Sequence, residues 1–362
     1  MAVIQGLHHI TLVCADAQRT IDFYTRMLGL RLVKLTVNFD DPGAYHLYFG
    51  NETGAPGSAI TFFEWSQAPS GKPGIGGTHH FALIVENREA LLKWKRYLTD
   101  RDISVRGIYD RVYFQSIYLN DPDGTVLEIA TRGPGWTVDE DAASLGETEH
   151  TPPSELMLEG RDESAIGAET WPEPVTEITP DMALTQGMHH ITAIASNIEN
   201  THAFYHGTLG LRLLKRTLNF DDPKSKHWYW GTEEGQPGSI ITYFERDPRK
   251  TRRVQMGTGQ THHFAFAVKD EADQLEYRER LLAAGIRVSP VLDRIYFKSI
   301  YSQDPDGHIV EIATANPGFA VDEPVATLGS TLMLPPWLEE HRAQIENAVK
   351  PVTLPTWPLV QS

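Results

Sequence analysis

The chain has 362 residues, 41% of them hydrophobic and 22% charged, enough apolar material for two ordinary globular cores. A formal net charge of −16 argues against nucleic acid or an anionic membrane surface as partner. The lone cysteine, Cys14, excludes an internal disulfide, no run approaches the roughly 18 apolar residues of a membrane span, and the N-terminus lacks a signal-peptide pattern, so a cytoplasmic location is expected.

In chain order, residues 9–14 read as a strand. Asp16 is placed to cap a helix running through Leu28, with Ile21, Tyr24 and Leu28 spaced for one buried face and Gly29 as the stop. Residues 31–37 alternate as a strand, and strands follow at 45–49 and 58–65, the last after the turn Ala55-Pro56-Gly57. A second unit repeats the order: a strand over 80–85, a helix over about 89–99, shorter strands, and the turn Asp121-Pro122-Asp123-Gly124 feeding a strand over 125–131. Residues 147–185 are acidic, contain proline and have no period, which marks a linker. Residues 338–349 read as an amphipathic helix within a C-terminal tail, 330–362.

The units then recur. Leu7-His8-His9-Ile10-Thr11 returns as Met188-His189-His190-Ile191-Thr192, an offset of 190 − 9 = 181. Thr78-His79-His80-Phe81-Ala82 returns as Thr261-His262-His263-Phe264-Ala265 (263 − 80 = 183), and Glu128-Ile129-Ala130-Thr131 as Glu311-Ile312-Ala313-Thr314 (311 − 128 = 183). The fold class is therefore α+β: four βαβββ modules in two tandem repeats, paired into curved mixed sheets that enclose clefts. The halves span 1–146 and 186–329.

Neighbouring residues on a strand face opposite ways, so one His of each pair can face a cleft, and the second of each pair opens the alternating run. Glu128 and Glu311 sit amid apolar strand residues, where a carboxylate is costly unless paired or metal-bound. Two His and one Glu leave half an octahedral shell open, as in non-haem Fe(II) oxygenases, whereas a closed zinc site wants four ligands, often thiolates. Pairing the first unit with the second and the third with the fourth would give His9/His80/Glu128 and His190/His263/Glu311. Pairing first with fourth and second with third would give His9/His263/Glu311 and His80/Glu128/His190. His46 and His227 also repeat (227 − 46 = 181), and a place at a solvent edge suits them as well as one in a cleft.

With Tyr45-His46-Leu47-Tyr48-Phe49 and Asp293-Arg294-Ile295-Tyr296-Phe297 followed by Tyr301, these segments resemble the vicinal oxygen chelate superfamily of glyoxalases, bleomycin-resistance proteins and extradiol dioxygenases. Within it the chain is most similar to the ring-cleaving branch that includes hydroquinone-cleaving enzymes. That resemblance implies pairing of the first and fourth units and a metal held by His9, His263 and Glu311. It implies substrate-handling roles for His8, Thr11, His262, Arg294 and Tyr301. The cofactor it implies is Fe(II), or Mn(II), with O2 as co-substrate and a small aromatic diol as substrate; a homo-oligomer is compatible. The chain departs from the branch in keeping a full second set, His80, Glu128 and His190, with Arg111 and Tyr118 matching Arg294 and Tyr301. Superfamily glyoxalases add a second Glu, whose place falls on Thr61 and Thr242, although Glu64 and Glu245 lie three residues away. The alternative activity is accordingly a glyoxalase-like lyase or thiol transferase.

Overall fold

The computed structural model describes residues 2–357. The first unit comprises β1 (Gly6–Cys14), α1 (Ala17–Asp22), β2 (Arg31–Asn38), β3 (Asp41–Gly50) and β4 (Ala59–Glu64). The second comprises β5 (Thr78–Val85), α2 (Arg88–Thr99), β6 (Arg106–Asp110), β7 (Gln115–Asn120) and β8 (Val126–Thr131). The joining segment carries β9 (Glu149–His150) and α3 (Glu163–Ala168). The third unit has β10 (Met188–Ala195), α4 (Ile198–His202), β11 (Arg212–Asn219), β12 (Asp222–Gly231) and β13 (Ile240–Glu245). The fourth has β14 (Thr261–Val268), α5 (Glu271–Ala283), β15 (Leu292–Asp293), β16 (Lys298–Gln303) and β17 (Ile309–Thr314), and α6 (Arg342–Ala348) follows.

Asp16 caps α1 as expected, accepting the Arg19 N–H at 2.9 Å, and Ile21, Tyr24 and Leu28 are all buried. The expected α-helix to Leu28 is corrected in its second half: Phe23–Met27 form a π-helical turn, closed by Leu28 N–H to Phe23 C=O at 3.1 Å. Two consecutive aromatics occupy this wider turn, and Tyr24 reaches inward to donate to Asp121 at 3.2 Å. Gly29 then stops the helix at φ +71°, where a side chain would be strained. The helix expected over 338–349 is also corrected. Pro335-Pro336 starts a tighter 3-10 segment, Pro336–His341, and only Arg342–Ala348 is α-helical. Residues 358–362 of the expected tail lie outside those described.

Two sheets result. One has the order β15-β16-β17-β14-β1-β4-β3-β2, the other β6-β7-β8-β5-β10-β13-β12-β11-β9. The first unit thus shares a sheet with the fourth, and the second with the third. Each seam joins two N-terminal strands antiparallel, β1 to β14 and β10 to β5. Along β1, Ile10, Leu12 and Cys14 enter the main apolar core with Ile21 and Tyr24 of the first helical segment. His9, Thr11 and Val13 alternate with them and take the other face. Among the described residues no helix is long and apolar enough to cross a membrane.

Candidate metal centres

Strand register brings the expected ligands together. Across the first sheet one row reads Tyr301↔Glu311 (β16/β17), Glu311↔Ala265 (β17/β14) and Ala265↔His9 (β14/β1). Side chains opposite one another in a sheet share a face, so Tyr301, Glu311 and His9 point the same way. His263, two residues before Ala265, joins them. The methyl of Ala265 in the middle of the row leaves the space onto which the longer side chains converge. The second sheet repeats the row as Tyr118↔Glu128↔Ala82↔His190.

In the first cluster, His9 Nε2 lies 3.2 Å from His263 Nε2 and 3.2 Å from Glu311 Oε2, and His263 Nε2 is 3.0 Å from the same oxygen. Three donors on one octahedral face, with metal bonds of about 2.1 Å, stand about 3.0 Å apart; a tetrahedron would require about 3.4 Å. The observed triangle fits the octahedral face. Glu311 is fully buried, and its Oε2 accepts no well-aligned hydrogen bond, while Oε1 accepts from Ser299. Burial alone would raise its pKa, but the positive charge that His9 and His263 carry when protonated outweighs burial and holds the carboxyl well below its usual range, and a bound cation would act in the same sense. A buried carboxylate and two imidazole nitrogens aimed at one point fit a divalent cation.

In every His pair the first residue orients the second. His8 Nδ1 is 2.8 Å from His9 Nδ1, and His262 Nδ1 is 2.8 Å from His263 Nδ1. Burial, followed by the charge of its neighbour, lowers His8 and His262 to about 3. Each is therefore neutral and can accept the Nδ1–H of the next ring, which leaves that ring's Nε2 lone pair facing the cluster.

The cluster lies at a cavity of about 1000 Å³. Of the residues expected to handle substrate, His262, Arg294 and Tyr301 line it, while His8 packs behind His9 against Phe297 and Thr11 is fully buried. Arg294 does not pair with its neighbour Asp293. Asp293 accepts the Ile295 N–H, and the guanidinium stacks near Tyr301 and reaches Asp40 at 3.3 Å. Ile295 sits at φ +69°, and Val112 matches it at φ +69°. A β-branched residue there costs about 1–3 kcal/mol, and in both copies the strained turn fixes the arginine just before it. Burial, then Glu311, raises the Tyr301 pKa, so its hydroxyl is a neutral donor near pH 7.

Thr61 lies beside Thr11 in the register, with their hydroxyls 2.8 Å apart. Glu64 points elsewhere and accepts the Ala17 N–H at 2.8 Å, as Glu245 accepts that of Ile198 at 2.8 Å. In both sheets a threonine, and not the glutamate three residues on, therefore neighbours the cluster at this register. His46 and His227 are not at a solvent edge: both line cavities. His46 Nε2 is 3.0 Å from Thr61 Oγ1 and its Nδ1 2.9 Å from the Tyr48 hydroxyl, so a hydrogen-bonded chain runs Tyr48–His46–Thr61–Thr11 to His263. Sequence reading named Thr61 only as the place of an absent carboxylate, and it missed the hydrogen-bonding role of Tyr48 and the apolar wall of Phe63 and Trp65. The period-2 alternation of His46 with Tyr48 was the one available signal for Tyr48.

The second cluster has a similar triangle with one shorter side: His80 Nε2 to His190 Nε2 3.2 Å, His80 to Glu128 2.7 Å and His190 to Glu128 3.2 Å. Its cavity is smaller, about 290 Å³.

With this geometry in place, comparison defines the class. The family model described as Glyoxalase/Bleomycin resistance protein/Dioxygenase superfamily matches residues 6–129 and 187–312, and the chain belongs to that superfamily. Relatives along its whole length are named as ring-cleaving dioxygenases. The chain is 36% identical to Bacillus subtilis MhqO, a provisionally named ring-cleaving dioxygenase, over 96% of each chain. It is 28% identical to a chlorohydroquinone/hydroquinone 1,2-dioxygenase of Sphingobium indicum over 93% of each. A Bacillus subtilis crystal structure provisionally titled a dioxygenase superposes with TM-score 0.79 at 34% identity, covering 98% of this chain and all of that one. Glyoxalase I from Zea mays shares the fold, with TM-score 0.54 at 17% identity over 86% of this chain and 92% of that one.

Proposed function

We propose that the protein is a metal-dependent dioxygenase that opens the ring of a hydroquinone- or catechol-type substrate, with His9, His263 and Glu311 holding Fe(II), or Mn(II) in its place. The observation that carries this reading is the triangle of three donors beside the large cavity, with Thr61 rather than a further carboxylate next to it. Bound Fe(II) would supply the redox chemistry that lets dioxygen react with an electron-rich ring, its open positions admitting both reactants. The chain's own groups suit the rest. Phe63 and Trp65 offer an apolar wall for a ring. His262, neutral and open to the cavity, can accept a hydrogen bond from a substrate hydroxyl, and the Tyr301 hydroxyl can donate one. Arg294 stabilises anionic oxygen in a site of low polarity. The names of the relatives support the substrate class.

The test is oxygen uptake by anaerobically purified, Fe(II)-loaded protein across a panel of hydroquinones and catechols. Uptake with a ring-opened product supports the reading. Full metal loading without uptake on any diol sinks it. Turnover of a thiol adduct without oxygen would identify the lyase reading, which Thr61 and Thr242 disfavour.

A further inference from the structure

The second cluster differs from the first in ways that ring cleavage does not explain. Glu128 is fully buried, and neither of its oxygens accepts a well-aligned hydrogen bond. Ser116, the counterpart of Ser299 (299 − 116 = 183), does not reach it, so its hydroxyl is also unpartnered. A buried carboxylate whose polar neighbours are two imidazole nitrogens converging on it is costly unless a cation or a proton sits among them.

The walls differ too. Arg246 stands where the first cavity has Trp65 (246 − 65 = 181), and Arg106 where it has Ser289 (289 − 106 = 183). The joining segment, for which sequence reading argued no chemistry, adds Leu158 and Arg161 to the wall. Leu158 N–H donates to Phe220 C=O at 2.9 Å, and Arg161 grips Asp221 at 2.6 Å, while Arg111 approaches the other Asp221 oxygen at 3.5 Å. The residues lining the second chamber thus include four arginines against Asp221 and Glu128, a formal +2 (4 − 2), with Asp222 at 3.3 Å from Arg246 and Glu163 at 2.6 Å from Arg161 just behind the wall. The first carries Arg287 and Arg294 against Asp40, Asp304 and its ligand Glu311, a formal −1 (2 − 3). Low-dielectric walls amplify such a difference.

We propose that His80, His190 and Glu128 form a separate metal centre, whose small arginine-lined chamber takes a compact anionic ligand alongside the cation. The chain then holds two divalent cations with different ligand preferences, the larger cavity serving neutral aromatics and the smaller one anions. This assignment stands apart from the ring-cleavage reading, because metal count and anion binding are measured without turnover.

The experiment loads metal-stripped protein with Mn(II) and counts bound metal by elemental analysis. Two ions per wild-type chain are expected, one in Glu311→Gln, one in Glu128→Gln and none in the double variant. His80→Gln replaces Glu128→Gln if the latter does not fold by circular dichroism. Salicylate is then titrated against the Mn(II) paramagnetic resonance signal of each single-centre protein. Binding at least tenfold tighter is expected in Glu311→Gln than in Glu128→Gln, and adding Arg246→Trp to Glu311→Gln should weaken it at least tenfold. One ion per wild-type chain overturns the second centre. Equal salicylate affinity at both centres overturns its anion preference.

Discussion

The orienting role of His8 can be tested without touching a ligand or the cavity wall. His8 is 3% exposed, packs on Phe297 at 4.9 Å between ring centroids, and its Nδ1 lies 2.8 Å from that of His9. His8→Phe keeps a ring of similar size but removes the acceptor. The His9 Nδ1–H is then buried without a partner, which costs about 1–3 kcal/mol. Loss of a group that orients a metal ligand typically weakens binding about 10–100-fold, or about 1.4–2.7 kcal/mol. The two estimates agree. In a Glu128→Gln background, where one triad remains, competition titration against a chelating dye should show metal affinity falling 10–100-fold in His8→Phe. His8→Gln, which retains an acceptor oxygen, should recover most of the loss. An affinity within threefold of the parent in His8→Phe, or an equal loss in both variants, would refute the orientation argument.

Ala265→Leu should fill the point on which His9, His263 and Glu311 converge, abolishing metal at that centre while the other keeps its ion; elemental analysis reads the difference. Tyr301→Phe should lower kcat on a diol substrate by about 10²-fold or more with metal content unchanged, and an unaltered kcat would remove Tyr301 from proton handling. The pH dependence follows from His8, His189 and His308, all nearly fully buried and lowered by burial to about 3. Their unfolded value is about 6.5, so as pH falls the unfolded chain takes up these protons first. Stability is therefore complete above about pH 6.5 and falls below it by up to about 4 kcal/mol per unit for the three together. Urea melts of metal-stripped protein should be flat from pH 7 to 8 and weaken steeply between 6 and 4; unchanged stability at pH 5 would contradict this.

Much of the molecule is local enough to be read from the chain. Period-2 alternation singles out His9, His80, His190 and His263 as the inward members of their pairs, because strand geometry depends only on neighbouring residues. Asp16 and Gly29 bound the first helical segment through backbone hydrogen bonding and φ alone, although the π-helical turn at Phe23–Met27 needed the packing of Tyr24 to reveal it. The rest is relational. All four units present nearly the same seam strand, so β1 could pair with β5 as readily as with β14 on sequence terms, and only the assembled sheets select His9 with His263 and Glu311. Whether Thr61 or Glu64 faces the metal is a matter of register between β1 and β4, which a slip would change. Sequence alone leaves His46 open between an edge and a cleft because its partner Thr61 is gathered by cross-strand pairing and not by proximity in sequence. The two chambers differ partly in aligned wall residues, Trp65 against Arg246 and Ser289 against Arg106, and partly because the joining segment, which has no period to read, adds Leu158 and Arg161 to one of them. Sequence by itself determined which atoms can bind a metal; tertiary structure decided which three meet, and how much room and charge surround them, since both depend on contacts between residues far apart in the chain.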